Sequence, residues 1–255
     1  MNGFDLETSG TNVWEDRVVQ AAIVEVRDGV HAGTTTWLAN PGIEIPDEAT
    51  AVHGISTERA RAEGQDPGQV LFEVTGRLAL GMGRVIPTVV ANAPYDFTLL
   101  EAENRRHGVA SLASRVAPKP IGPVIDPMVL DRFVDPYRKG ICAEAKHPCG
   151  CGAVDKKLSS LCLHYGVELT AAHDAGADAL AACLLVPKII ARYPFKFRGF
   201  TVGSLHQAQI GWRREQMDGL RAYFDRIGTE HDGCAPDWPI LTRQIVNAEP
   251  QRSLL

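Results

Sequence analysis

Acidic residues recur in this 255-residue chain where their spacing could do chemistry. Asp5 and Glu7 flank a single residue in FDLETS. On a β-strand such a pair projects from one face, because side chains alternate with a period of two. Two carboxylates side by side repel, and burying them uncompensated is costly. A basic partner or a cation relieves both penalties. A hard divalent ion such as Mg²⁺ takes oxygen ligands, commonly one or two carboxylates with phosphate and water. Asp96 falls in the first turn of an expected helix, just after an apolar strand. Open α/β sheets place their sites at that carboxyl end. Asp178 falls in the first turns of a second helix, five residues after His173. On one continuous helix five residues rotate by about 500°, so the two would diverge. Asp174 reads as the helix N-cap, which leaves His173 in the preceding loop and lets both groups face one site.

Each feature alone also has an ordinary reading. Asp-x-Glu can be a solvated strand edge, and Asp96 can simply favour the helix dipole. AHDAGADA can be an ordinary capped helix start.

The elements that must position these residues are legible from patterning. FDLETS (4–9), VVQAAIVEVR (18–27) and TTTWLAN (34–40) read as three strands of an antiparallel meander, punctuated by Asp28-Gly29 and Gly33. Strand–helix alternation follows. Ser56-Thr57 caps a short helix, 66–80 forms a longer one, 84–92 a buried strand and 94–108 a helix. PVI (123–125) reads as a strand, and Asp126-Pro127 opens another helix. A meander followed by this alternation implies an α/β protein with a mixed sheet flanked by helices. KGICAEAKHPCGCGAVD (139–155) breaks the rhythm before two more helices, KLSSLCLHYG and DAGADALAACLLVPKIIARY. Pro187 is expected to end or kink the second of these. RYPFKFRGF (192–200) reads as a linker and 201–228 as a final long helix. The expected division is a core over 1–194 and a helical extension over 195–255.

FDLETSG, HGIS, ANAPYD and HDAGADA, in that order, resemble the DEDDh class of 3′–5′ exonucleases. This is the group of the proofreading subunit of bacterial replicative polymerases, RNase T and oligoribonuclease, and the proofreading-subunit-like type of bacteria and phages is the best match. Asp5, Glu7 and Thr8 match the first motif, Asn92, Tyr95 and Asp96 the second, and His173 and Asp178 the third. The resemblance covers roughly residues 3–187. It implies a ribonuclease-H-like fold and two Mg²⁺ or Mn²⁺ ions held by Asp5, Glu7, Asp96 and Asp178. It also implies that Asp5 bridges both ions, that Glu7 reaches the attacking water, and that His173 is the general base. Thr8 would meet the terminal nucleotide, and His53-Gly54-Ile55 would pack on its base with Ile55 as a stack or wedge. A purely structural role for His53 weighs equally. Asn92 belongs to the substrate-binding set, and its position after the strand also fits a capping group. The implied reaction releases 5′-mononucleotides from single-stranded DNA 3′ ends, with a replicative polymerase as a possible partner. RNA-directed exonuclease action and a catalytically silent nucleic-acid-binding module are the alternatives. Ala91 departs from relatives, which often carry His before the Asn. The Cys-rich stretch is a second departure.

That stretch gathers Cys142, His147, Cys149 and Cys151, a soft-ligand set that could hold a structural zinc. The CxC spacing is tighter than a standard zinc knuckle, and a surface insertion with reduced thiols is the other reading. Aromatic and basic residues alternate in RYPFKFRGF, which suits single-stranded nucleic acid. Phe anchors joining a linker to the core fit better. Arg138, Lys139, Lys156 and Lys157 could line a strand path, with solvated charge as the default. Trp212 and Tyr223 are expected to pack the extension onto the core.

The chain has 26 basic and 31 acidic residues, a net charge of −5. That excludes a broad basic grip on nucleic acid but not a metal-loaded pocket for one strand end. Asp5 and Glu7 fall where a signal peptide needs its apolar run, and no window approaches the roughly 18 apolar residues of a membrane span. The expectation is therefore a cytoplasmic protein, with no membrane contact and with reduced thiols.

Overall fold

The structure, a computed structural model, describes residues 1–138, 157–231 and 233–242. Three strands open the chain: β1 (Asn2–Thr8), β2 (Val18–Arg27) and β3 (Val30–Leu38). β2 and β3 form a hairpin whose turn residues Asp28 and Gly29 both have positive φ, 52° and 79°. Both signs are what a two-residue turn needs to match strand twist. Two short strands complete the sheet, β4 (Thr88–Val89) and β5 (Val124–Ile125). The order is β3-β2-β1-β4-β5, antiparallel over the first three strands and parallel over β1, β4 and β5. The mixed sheet expected from the sequence is therefore present.

β4 is much shorter than the expected strand 84–92. Val85 sits at φ 61°, and Pro87 has no N–H to give the ladder, so pairing begins only at Thr88.

The helices are α1 (Asp47–His53), α2 (Thr57–Glu63), α3 (Pro67–Gly83), α4 (Ala93–Arg106), α5 (Leu112–Val116) and α6 (Pro127–Val134). They continue with α7 (Leu158–Tyr165), α8 (Ala175–Arg192), α9 (Pro194–Phe197) and α10 (Val202–Ile227). α8 runs through Pro187 to Arg192 rather than ending there. The short α9 lies inside the expected linker.

Alternation along β1 divides the core into two layers. Phe4 and Leu6 point to one side with Val70, Val74, Leu78, Phe97 and Leu100 from α3 and α4. The other side of the sheet meets Ala179, Cys183 and Val186 of α8, together with residues of α6 and α7. Asp5 and Glu7 alternate with Phe4 and Leu6 and so share the face beneath α8. The β1–β2 register slips between Glu7 and Thr8, which ends regular pairing where the carboxylates emerge.

α10 packs against α6 and β5. Trp212 stacks on Phe133 at 3.7 Å between ring centroids and anchors this helix as expected. Tyr223 does not, being 46% exposed beside Arg226. It lies on the outer face of the helix, so of these two residues only Trp212 has an anchoring role. Phe197 is buried against Phe133, whereas Phe195 is solvent-exposed, so the aromatic linker is only partly anchored.

Candidate active site

Gly3 explains how the third motif reaches the first. A Cβ at Gly3 would lie 2.4 Å from the Ala179 carbonyl oxygen and 2.9 Å from the Cys183 sulfur. Only glycine admits α8 this closely, and the approach brings Asp178 over β1. One carboxylate oxygen each from Asp5, Glu7 and Asp178 lie within 4.8 Å of one another. Asp96, 2% exposed in the first turn of α4, accepts a hydrogen bond from the Leu6 N–H at 3.0 Å. Leu6 separates Asp5 from Glu7, so this bond ties the second motif to the middle of the first.

The electrostatics are those of acids crowded without cations. Among the described residues no Lys or Arg forms an ion pair with these four. Burial, then the charges of Asp96, Glu7, Asp178 and Asp174, holds the Asp5 carboxyl well above the usual range. Burial raises Glu7 to about 7, reinforced by Asp178 and Asp174. Burial also raises Asp96, against the Leu6 hydrogen bond. Asp178 is raised by burial, opposed by the His173 N–H, and its Oδ1 is buried without a hydrogen-bond partner. An all-oxygen set with raised pKa values and an orphaned carboxylate oxygen fits hard divalent cations.

His173 lies where Asp174 capping requires. The Asp174 carboxylate accepts from the Ala177 N–H at 2.9 Å and starts α8. His173 stands just outside, left-handed at φ 64° and exposed, with its N–H donating to Asp178 Oδ2 at 3.3 Å. The expected loop placement beside Asp178 is met.

The remaining expected contacts divide. The Thr8 hydroxyl donates to the Gly10 carbonyl at 2.8 Å and touches the Tyr95 hydroxyl, which also donates to Gly10. Thr8 is thus a buried link between the end of β1 and α4. His53 is half-buried, with Nδ1 accepting from the Ile55 N–H at 3.1 Å. Burial lowers its pKa, opposed by the Thr8 backbone, and His173 is close enough to lower it further. Ile55 is not presented as a wedge: it is buried with Val19, Ile45 and Ala60, where packing a small satellite core outweighs exposure. Asn92 occupies the N-cap position of α4 in the left-handed conformation, but its side chain makes no capping bond and is exposed. The capping task falls instead to the Asp126 carboxylate. Arg138 is neither on a strand path nor solvated. Its buried guanidinium pairs with Asp131 at 3.0 Å. Lys157 is exposed. Cys142, His147, Cys149 and Cys151, with Lys139 and Lys156, lie outside the described residues. Cys162, Cys183 and Cys234 are buried free thiols.

Sequence reasoning missed three participants. Gly3 carried a signal, since it precedes Asp5 on the same strand face. The sequence marks Asp126 only as the cap of α6, and that role is present: its carboxylate accepts from the Met128 N–H at 2.9 Å. The same carboxylate also accepts from the Ala93 N–H at 3.0 Å and the Asn92 N–H at 3.3 Å, capping α4 from a distance. Gln209, on α10, gave no signal.

The profile of the RNase_T exonuclease family matches residues 3–186. The chain belongs to this family, in its DEDDh class. This exonuclease chain is 26% identical over 184 residues to the PolC-type DNA polymerase III of Lacticaseibacillus paracasei, a match covering 72% of the chain and 11% of that protein. The PolC-type polymerase of Oceanobacillus iheyensis is 26% identical over 189 residues, covering 74% of the chain and again 11% of the relative. The exonuclease chain thus spans only about a tenth of the length of these polymerases. Among solved structures, E. coli exonuclease I in complex with a dT13 oligonucleotide is similar at a TM-score of 0.60 and 21% identity, over 77% of this chain and 42% of that one. Exonuclease X in complex with 5′-overhanging duplex DNA gives 0.52 and 19%, over 82% and 98%. At these identities the likeness is one of fold, here the ribonuclease-H-like sheet. No helix among the described residues is long and apolar enough to cross a membrane.

Proposed function

We propose that this exonuclease hydrolyses single-stranded DNA from its 3′ end and releases 5′-mononucleotides with two Mg²⁺ or Mn²⁺ ions. The observation that carries this reading is the convergence of Asp5, Glu7 and Asp178 within 4.8 Å, with Asp96 bonded between the first two. When bound, the ions would lower the pKa of the attacking water and neutralise charge on the scissile phosphate. Asp5, Glu7, Asp96 and Asp178 would hold them. The raised pKa of Glu7 means that this residue gives up a proton to become a ligand. His173, outside α8 and free to turn toward the site, accepts the proton of the attacking water. The water oxygen bonds to phosphorus as the bond from phosphorus to the 3′-oxygen of the preceding nucleotide breaks. His53, beside Thr8 and His173, and the exposed Asn92 side chain would contact the terminal nucleotide. Residues 1–194 carry all these groups, and α10 packs against that core.

The oligonucleotide complexes of exonuclease I support a single strand as substrate. The PolC relatives make a replicative polymerase the partner to test. The experiment is digestion of a labelled oligonucleotide, in DNA and RNA forms, with Mg²⁺, Mn²⁺ or EDTA. Expected is stepwise shortening of the DNA from the 3′ end with either ion and none with EDTA. An Asp178→Asn variant that degrades DNA as fast as the parent would refute the reading. Faster digestion of the RNA would reassign the substrate.

A further inference from the structure

α10 begins as an appendage in the sequence and ends, in the structure, bonded to the sheet. β5 is an edge strand: the Pro123 and Ile125 carbonyls face β4, accepting from Thr88 and Val90. The alternate groups, the N–H and C=O of Val124 and the N–H of Asp126, face outward, where a further strand would satisfy them. Side chains of α10 satisfy them instead. His206 Nδ1 accepts from the Val124 N–H at 3.1 Å. Gln209 Nε2 donates to the Val124 carbonyl at 3.0 Å, and its Oε1 accepts from the Asp126 N–H at 2.8 Å. Gln209 is 0% exposed, an uncommon burial for glutamine.

The Asp126 carboxylate continues the chain of contacts. It is buried and caps α4 through the Asn92 and Ala93 N–H groups, a task the Asn92 side chain leaves undone. α4 carries Asp96 one turn later, and Asp96 bonds to the backbone between Asp5 and Glu7. The segment after α10 holds the same helix, since the Leu241 N–H donates to the buried Thr98 hydroxyl at 2.8 Å.

We infer that Gln209 and Asp126 are positioning residues for Asp96, so that α10 sets the geometry of the metal centre from outside the motif-bearing region. This rests on the reading of Asp96 as a metal ligand. Contacts of this kind, once removed from a ligand, commonly change metal affinity or activity by ~10–100-fold. The division at residue 194 is then one of motif content and not of mechanical independence.

Gln216 supplies the control. It lies on the same helix and donates to the Val129 carbonyl of α6 at 3.0 Å, a comparable link to the core that touches neither the outward groups of β5 nor the Asp126 carboxylate. Full-length parent, Gln209→Leu, Asp126→Asn and Gln216→Leu proteins are titrated with Mn²⁺ calorimetrically, and their melting temperatures and kcat and KM on a DNA oligonucleotide are measured. Expected is Mn²⁺ binding ~10-fold weaker, with kcat reduced and KM unchanged, in Gln209→Leu and Asp126→Asn, while Gln216→Leu lowers the melting temperature alone. If Gln209→Leu and Asp126→Asn melt lower but bind Mn²⁺ as the parent does, the positioning role is overturned. If the parent itself binds no Mn²⁺, the metal-ligand reading of the four acids fails first. Asp126→Asn keeps the inference open to refutation should Gln209→Leu not fold.

Discussion

Two buried acidic regions of this molecule are built in opposite ways. On α6, Asp131 is fully buried and its charge is answered at once: Arg138 pairs with it through Nε and Nη2, and the Tyr165 hydroxyl donates to it at 2.9 Å. At the end of β1, three carboxylates converge with a fourth alongside, and no Lys or Arg among the described residues pairs with them. The first arrangement completes its own electrostatics. The second raises the pKa of every member and leaves Asp178 Oδ1 without a partner. Buried acid alone therefore does not mark a site. Buried acid that the fold leaves uncompensated does.

The largest expected effect breaks the second region. Asp5→Asn or Asp178→Asn should lower the hydrolysis rate by about a thousandfold or more, since several kcal/mol of transition-state stabilisation disappear. The melting temperature without metal should hold or rise, because a repulsive charge is gone. Rate assays beside thermal melts check both halves.

Asp131→Ala should do the reverse. Leaving Arg138 buried and unpaired costs about 3–5 kcal/mol, read from urea unfolding, while the rate per folded molecule stays near that of the parent.

A smaller effect follows from pH. Glu7 titrates near 4.5 unfolded and about 7 folded, so its contribution favours the fold below the unfolded value. That contribution is lost as pH rises through about 7, and the raised Asp5 and Asp96 add in the same direction. Metal-free protein should therefore lose stability between pH 4.5 and 7. Added Mn²⁺ should raise the melting temperature by a few degrees at pH above that window and by less below it, as thermal melts across pH would show. An equal gain at both ends would mean that the cation does not replace these protons.

The smallest effects separate the two faces of α10. Trp212→Ala should cost roughly 2–3 kcal/mol by removing its stack on Phe133. Tyr223→Ala should stay within about 0.5 kcal/mol, as for other exposed positions.

The legible part of this molecule rests on local rules. Period two puts Asp5 and Glu7 on one face, and Asp174 as a cap puts His173 outside α8. Both hold in the structure. What escaped depends on partners distant in sequence. Ile55 looks free to meet a base until Val19 and Ile45 are brought over it. Asn92 looks like a cap until Asp126, 34 residues later, arrives to do the capping. Gln209 sits in a helix rich in polar residues, and only the unpaired edge of β5 gives it a reason to be buried. α1 has no buried residue and so left no hydrophobic pattern to read.

The covered edge of β5 also bears on how this protein meets copies of itself. An open edge strand is a template on which another chain can add a strand. His206 and Gln209 occupy the outward groups of Val124, and Gln209 that of Asp126, so the sheet cannot be extended from this side. α10 thus closes the β5 edge to strand-by-strand aggregation, a guard built from side-chain hydrogen bonds rather than from surface charge.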